Sequence, residues 1–233
     1  MLDRLTLIKD VGGAILKNKL KTVFIILLLL LGLALVFNQQ IKDAIVNFNT
    51  NRKLAQVDQD KIKQAKHIKA SYDFNAVSDV DVKQVAAAAT DNQQGYLGKI
   101  AIPAVHIKLP IVKGVSKVAL ATGAGTMKPD EKMGQGNYAL AGHNMLNPNI
   151  LFSAVAETKI GQKIYITDLK KVYVYQINHR EVITPTTVTI IDDIPGKKMI
   201  TLITCAESGT KRWAVQGDLL KVEKATKHNL TIF

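Results

Sequence analysis

The sequence predicts an all-β domain carried behind an N-terminal membrane helix and a partly helical stalk. Two observations predict it. Thr22 to Phe37 reads TVFIILLLLLGLALVF without a single charge, and as a helix it reaches roughly 24 Å at about 1.5 Å per residue. Beyond Thr90 the chain breaks into short apolar runs separated by Gly, Pro and Asn turns, the pattern of a barrel or sandwich. The expected boundaries are a cytoplasmic segment 1–21, an anchor 22–40, a stalk 41–90 and a folded domain 91–233.

Each element follows from local chemistry. Lys21 snorkels on one side of the apolar run while Asn38, Gln39 and Gln40 reach the headgroups on the other. No small-x-small cleavage site follows directly, so the segment reads as an uncleaved signal anchor. Arg4, Lys9, Lys17, Lys19 and Lys21 precede it and only Lys42, Arg52 and Lys53 follow closely, which predicts a cytoplasmic N-terminus and an extracellular folded domain. Residues 41–89 contain neither Gly nor Pro and end in Val85-Ala86-Ala87-Ala88-Ala89, a helix-forming composition too poor in apolar residues for its own core.

The strand candidates are Tyr96–Ile102, Ile107–Val112, Asn137–Ala141, Lys163–Thr167, Val172–Asn178, Met199–Thr204 and Trp213–Leu220. Pro103 and Pro110 predict edges or bends there. Gly123-Ala124-Gly125-Thr126 and Asn147–Ala156 read as connecting turns and a short helix. A net charge of +12 over 233 residues suits polyanionic neighbours. With the domain outside the cell, these are anionic membrane lipids or a wall polymer, and no nucleic acid.

The chemistry centres on Cys205, the only cysteine. A lone exported thiol has no disulfide partner and is either reactive or a small buried hydrophobe. A nucleophilic thiol needs a base and an oxyanion donor. Of the five histidines, His67 lies in the polar stalk, His228 near the C-terminus, and His106 and His179 beside strand-like runs. His143 follows Ala141-Gly142, small residues that admit close approach of another segment, and is the best candidate for the base. Arg212 returns beside Cys205 if Met199–Cys205 and Trp213–Leu220 form a hairpin. Lys211 is an adjacent competitor, although neighbouring strand residues face opposite sides.

Thr201-Leu202-Ile203-Thr204-Cys205, Lys211-Arg212-Trp213-Ala214-Val215-Gln216-Gly217 downstream and Ala139-Leu140-Ala141-Gly142-His143 upstream together resemble the sortases. Within them the chain is similar to class A, the housekeeping transpeptidases of Gram-positive bacteria, over roughly Gly95 to Ile232. The resemblance implies an eight-stranded β-barrel with Cys205 as nucleophile, His143 as general acid/base and Arg212 as oxyanion and substrate-backbone donor. It implies cleavage of an LPXTG-type signal in surface proteins between Thr and Gly, and transfer to an amine of the peptidoglycan precursor lipid II. It also implies a groove lined by Ala141, Val188, Ile190, Ile191 and Ile203, with Thr201 and Thr204 as polar neighbours.

Some relatives hold calcium near this groove, but Lys128 and Gln135 stand where more acid is expected beside Glu131, Asp192 and Asp193, so no metal and no cofactor are expected. Class B and class C patterns fit less well, because residues 185–199 are too short for a helical insertion and neither an N-terminal lid nor a second C-terminal span is found. The Cys-before-His order of papain-like peptidases is reversed here. The alternative reading is a membrane-tethered, non-catalytic module for anionic wall polymer in which Cys205 is an inert core residue.

Overall fold

Helix α1 (Leu2–Val36) carries the apolar run in the computed structural model, which describes residues 2–74, 81–91 and 93–233, with side chains given from Lys19 onward except at Val82. Its stretch Lys19–Val36 is long and apolar enough to cross a membrane. The large apolar side chains from Leu20 to Phe37 are all exposed within the protein. A helix with its backbone satisfied internally and such a surface is stable in hydrocarbon rather than water. Arg4, Lys9 and Lys17, on which the expected orientation rests, lie outside the residues whose side chains are described. The chain divides into two compact units, 1–42 and 43–233.

Among the described residues the segment expected as a stalk carries the α-helices α2 (Asn38–Gln56), α3 (Gln59–Gln64) and α4 (Val82–Thr90). Asp58 and Asp81 cap α3 and α4 by accepting from Lys61 N and Gln84 N, as N-cap carboxylates do. From Asp43 on, this segment is packed against the barrel. Val46 and Val85 are buried in the main core, and Thr50 Oγ1 donates to the Thr122 carbonyl at 3.0 Å. Lys53 Nζ donates to the Asp91 carbonyl at 2.6 Å and Arg52 to that of Ala89, placing two cations at the negative end of α4. The few apolar residues of the segment complete a neighbouring core.

The remainder is a closed barrel. Its strands are β1 (Tyr96–Ile102), β2 (Ile107–Val112), β3 (Ala124–Thr126), β4 (Asn137–Ala141), β5 (Lys163–Thr167), β6 (Lys171–Ile183), β7 (Met199–Ala206) and β8 (Lys211–Lys224). They close in the order β1-β2-β3-β4-β7-β8-β6-β5, which leaves no open sheet edge. Two neighbouring pairs are parallel, β2 with β3 and β4 with β7. The first is crossed by helix α5 (Lys117–Thr122), the second by the chain that forms β5 and β6. Tyr138, Leu140, Tyr175, Ile177, Ile200, Leu202 and Val215 point inward and fill the core.

The opposite face of the same strands is also apolar. Ala139, Ile203 and Ala214 make a second buried cluster with Ile183 and Ile191. This outward layer is covered by the β6–β7 connection, and it becomes the floor of the site.

Two departures from the expected strands, and the place of a proline within an expected one, have physical reasons. Residues Gly123 to Thr126, read as a turn, contain strand β3. Their glycines serve close approach, since a Cβ on Gly123 would lie 2.3 Å from the Pro110 carbonyl oxygen and one on Gly125 2.3 Å from that of Gly114. β6 runs through the polar stretch His179-Arg180-Glu181 to Ile183 because β8 pairs with it throughout, up to Ile183 opposite Arg212. Pro110 lies inside β2 opposite Lys99, at the end where pairing with β3 has not yet begun. A short C-terminal helix, α6 (Lys227–Leu230), follows a capping box at Thr226.

Val46→Ala and Val85→Ala are each expected to cost about 2 kcal/mol, from lost burial plus a residual cavity. Urea unfolding of the full chain in detergent checks this, and a value near zero for both would show that the segment only rests on the barrel.

Candidate active site

Strand β7 delivers the thiol. Its antiparallel register with β8 pairs Thr204 with Trp213, Cys205 with Arg212 and Ala206 with Lys211, so Arg212 stands directly across from Cys205. On the other side β7 runs parallel to β4, with Ala141 level with Ile203. Followed two residues beyond that pair, the two chains lead to His143 and to Cys205. Gly142 extends this alignment: its N–H donates to the Ile203 carbonyl at 3.0 Å, and its carbonyl accepts from Thr204 Oγ1 at 2.8 Å. The His143 carbonyl then accepts from Phe152 N at 3.0 Å.

Glycine is required at 142, because a Cβ there would meet the Phe152 ring at 2.5 Å. His143 is only 6% exposed, whereas Cys205 is a free, partly exposed thiol. All three side chains line one cavity of about 260 Å³.

Ala141, Val188, Ile190, Ile191, Ile203 and Thr204 line that cavity as well. Thr201 does not. It is fully buried, its hydroxyl donating to Asn137 Oδ1 at 2.7 Å and accepting from Gln216 Nε2 at 3.1 Å. Asn137 Nδ2 and Gln216 Nε2 both donate to the Ile190 carbonyl at 3.1 Å, holding the 188–191 turn over the sheet.

Other wall residues were not foreseen. Met127, Ile183 and Pro185 extend the apolar lining, and Phe74, Val115 and Leu120 add to it from outside the β6–β7 connection. Phe74 follows a segment tethered by Val115 N donating to the Ser71 carbonyl at 2.8 Å, a contact across the fold that no local pattern announces.

The family model for the sortase domain matches residues 100–220. The chain belongs to the sortase family. It is 40% identical to sortase A of Streptococcus agalactiae over 88% of this chain and 86% of that protein. It is 37% identical to sortase A of Listeria monocytogenes over 89% and 95% of the two. The solved structure of the Listeria monocytogenes sortase A is similar with a TM-score of 0.56 and 42% identity, covering 57% of this chain and 92% of that one.

As a sortase, the protein is a cysteine transpeptidase that anchors surface proteins bearing LPXTG-type signals. Its apolar N-terminal helix suits a single-pass membrane anchor. The non-catalytic alternative needed Cys205 as an inert core residue, and in this sortase Cys205 borders the cavity instead.

The electrostatics of the sortase site are set by a few fixed groups. Arg212 Nη1 donates to the Gly209 carbonyl at 2.7 Å and the Lys211 carbonyl at 2.8 Å, which anchors the guanidinium by one nitrogen. Lys211 points away, paired with Glu207 at 3.1 Å. Lys128 Nζ meets Asp193 Oδ1 at 2.6 Å; that hydrogen bond, with a second from Asn137 N, holds the Asp193 carboxyl below its ordinary range. Among the described residues no three metal-ligating side chains converge. Glu131 accepts from Ala139 N at 2.8 Å and Met127 N at 3.1 Å, yet burial pushes it up to about 7.

Two outcomes follow from these constraints. The folded chain holds the Glu131 proton more tightly than a solvated carboxyl near 4.5 does, so stability should fall by up to about 3 kcal/mol as pH rises from about 4.5 to about 7. Glu131→Gln should flatten that slope in unfolding curves across the window, and an unaltered slope would assign it to other groups. Gly142→Ala should destabilise by about 1–3 kcal/mol through overpacking and lower peptide transfer at least about tenfold by displacing His143. Wild-type turnover in a folded Gly142→Ala variant would refute that role.

Proposed function

We propose that Cys205 is the nucleophile, His143 the general acid/base and Arg212 the oxyanion and substrate-backbone donor of a transpeptidation at LPXTG signals. The observation that carries this reading is the register of β7, with Arg212 across from Cys205 on one side and the β4 alignment leading to His143 on the other. The thiolate attacks the Thr carbonyl carbon and the Thr–Gly bond breaks as His143 protonates the departing glycine nitrogen, leaving a thioester. An incoming amine then attacks, His143 takes its proton, and the thiolate is released.

Arg212 suits the developing oxyanion because Nη1 is anchored on the Gly209 and Lys211 carbonyls while Nε and Nη2 make no hydrogen bond among the described residues. Fixed donors of this kind cost no reorganisation during reaction. Ala141, Val188, Ile190, Ile191 and Ile203 form an apolar wall suited to the Leu-Pro of the signal, with Thr204 bracing it. The acceptor is the amine of the peptidoglycan precursor lipid II. The enzyme sits with its N-terminus in the cytoplasm and residues 91–233 as the extracellular catalytic domain, its excess of cations facing anionic membrane lipids. Residues 22–40 are the anchor and 41–90 the linking segment.

Full-length protein in detergent, incubated with an LPXTG peptide with and without triglycine, tests the reading by mass spectrometry. The expected result is an acyl adduct on Cys205 that becomes an amide product when triglycine is added, and neither species with Cys205→Ala. A folded enzyme that gives no adduct would refute it. Arg212→Lys should lower kcat/KM by about 10² or more, because one ammonium does not reproduce a fixed fork of donors; turnover close to wild type would transfer the role to other donors.

A further inference from the structure

One side chain outside the sequence motif bridges the two segments that bring the thiol and the imidazole together. Asn144, next to His143, donates from Nδ2 to the Cys205 carbonyl oxygen at 2.8 Å. The β4–β7 ladder ends at Ala141 and Ile203 and is prolonged by the two bonds of Gly142. The Asn144 amide adds a further link at the level of Cys205 itself, where the parallel strands have ended. Its own backbone is held from the other side. Asn144 and Leu151 form an isolated antiparallel bridge, and Met145 N donates to Ser153 Oγ at 2.7 Å. The side chain therefore acts as a strut between a closed loop and the end of β7.

We propose that Asn144 is a positioning residue: by holding the Cys205 carbonyl, it sets the distance and orientation of the thiol relative to His143 in both half-reactions. The proposal rests on the roles given above to Cys205 and His143. Displacements of about 1 Å in such pairs cost up to about 10² in rate. Asn144 is exposed and buries little apolar surface, so its loss is expected to affect the spacing more than the stability. The bond requires a donor, and aspartate of nearly the same shape cannot supply one when ionised. It would set an acceptor against an acceptor and a negative charge beside the thiol. The other titratable and charged groups around Cys205 are His143 on the β4 side, Arg212 and Lys211 on β8, and Glu207 in the turn between β7 and β8; all are unchanged in the variants.

The test uses the full-length chain in detergent with two readouts. In LPXTG peptide transfer, Asn144→Ala is expected to lower kcat about tenfold with KM within about twofold and an unchanged thermal midpoint. Asn144→Asp should lower kcat at least as much, and Asn144→Gln, which keeps the donor, should recover part of the loss. In alkylation by iodoacetamide, the pH midpoint of Cys205 reactivity should move upward in Asn144→Asp. Unchanged kcat in both Ala and Asp variants overturns the proposal. So does a loss confined to KM, or a loss that accompanies a lower thermal midpoint with the alkylation profile unmoved. If the wild-type protein forms no thioester, the transpeptidation reading fails by itself, and the alkylation arm still decides whether Asn144 controls the thiol.

Discussion

Strand β7 is held between a parallel partner and an antiparallel one, and the cleft depends on that arrangement. The antiparallel register with β8 sets Arg212 against Cys205, while the parallel register with β4 carries the chain past Gly142 to His143. Neither pairing alone assembles the three groups. A parallel neighbour needs a long crossover, and here the crossover contains β5 and β6, whose β6 in turn pairs with β8 along its length. Closure of the barrel thus fixes the registers together: a slip of one residue in β7 would turn Cys205 inward and bring the buried Leu202 and Thr204 to the outer face.

The groove follows from a second constraint, the apolar outward face of β4, β7 and β8. Ala139, Ile203 and Ala214 on that face would be exposed to water if the β6–β7 connection did not cover them. The connection is held down by polar bonds rather than by secondary structure, with Asn137 and Gln216 on the Ile190 carbonyl and Asn137 on that of Asp192. An apolar floor under a polar-tethered strap leaves a cavity with the partly exposed thiol at its edge. The segment ahead of the barrel joins the same structure, with Val46 and Val85 in the core and Phe74 in the cavity wall. The polar composition of residues 41–90 therefore describes a docked appendage as well as a linker.

Much of this was legible along the chain because the signals are local. The apolar run before Phe37 and the strands β1, β2, β4 and β5 are written in composition and alternation. Cys205, His143 and Arg212 stand out because a lone thiol, a histidine after small residues and an arginine across a short turn are unusual in that order. β3 was lost because its glycines, which admit neighbouring backbone at close range, are also the residues of turns. β6 was underestimated because His179-Arg180-Glu181 is polar on both faces, and only its pairing with β8 makes it strand.

By itself the sequence determined that the chain has an apolar N-terminal helix and an all-β domain whose one thiol lies at a strand end, since hydrophobic period and residue chemistry are properties of short windows. Tertiary structure alone decided that Thr201 braces Asn137 and Gln216 instead of lining the cavity, that Phe74 reaches the cavity from a segment far away in sequence, and that Asn144 ties the histidine loop to Cys205. Each of these is a contact between residues many positions apart. Its existence depends on barrel closure and strand register, which no local window contains.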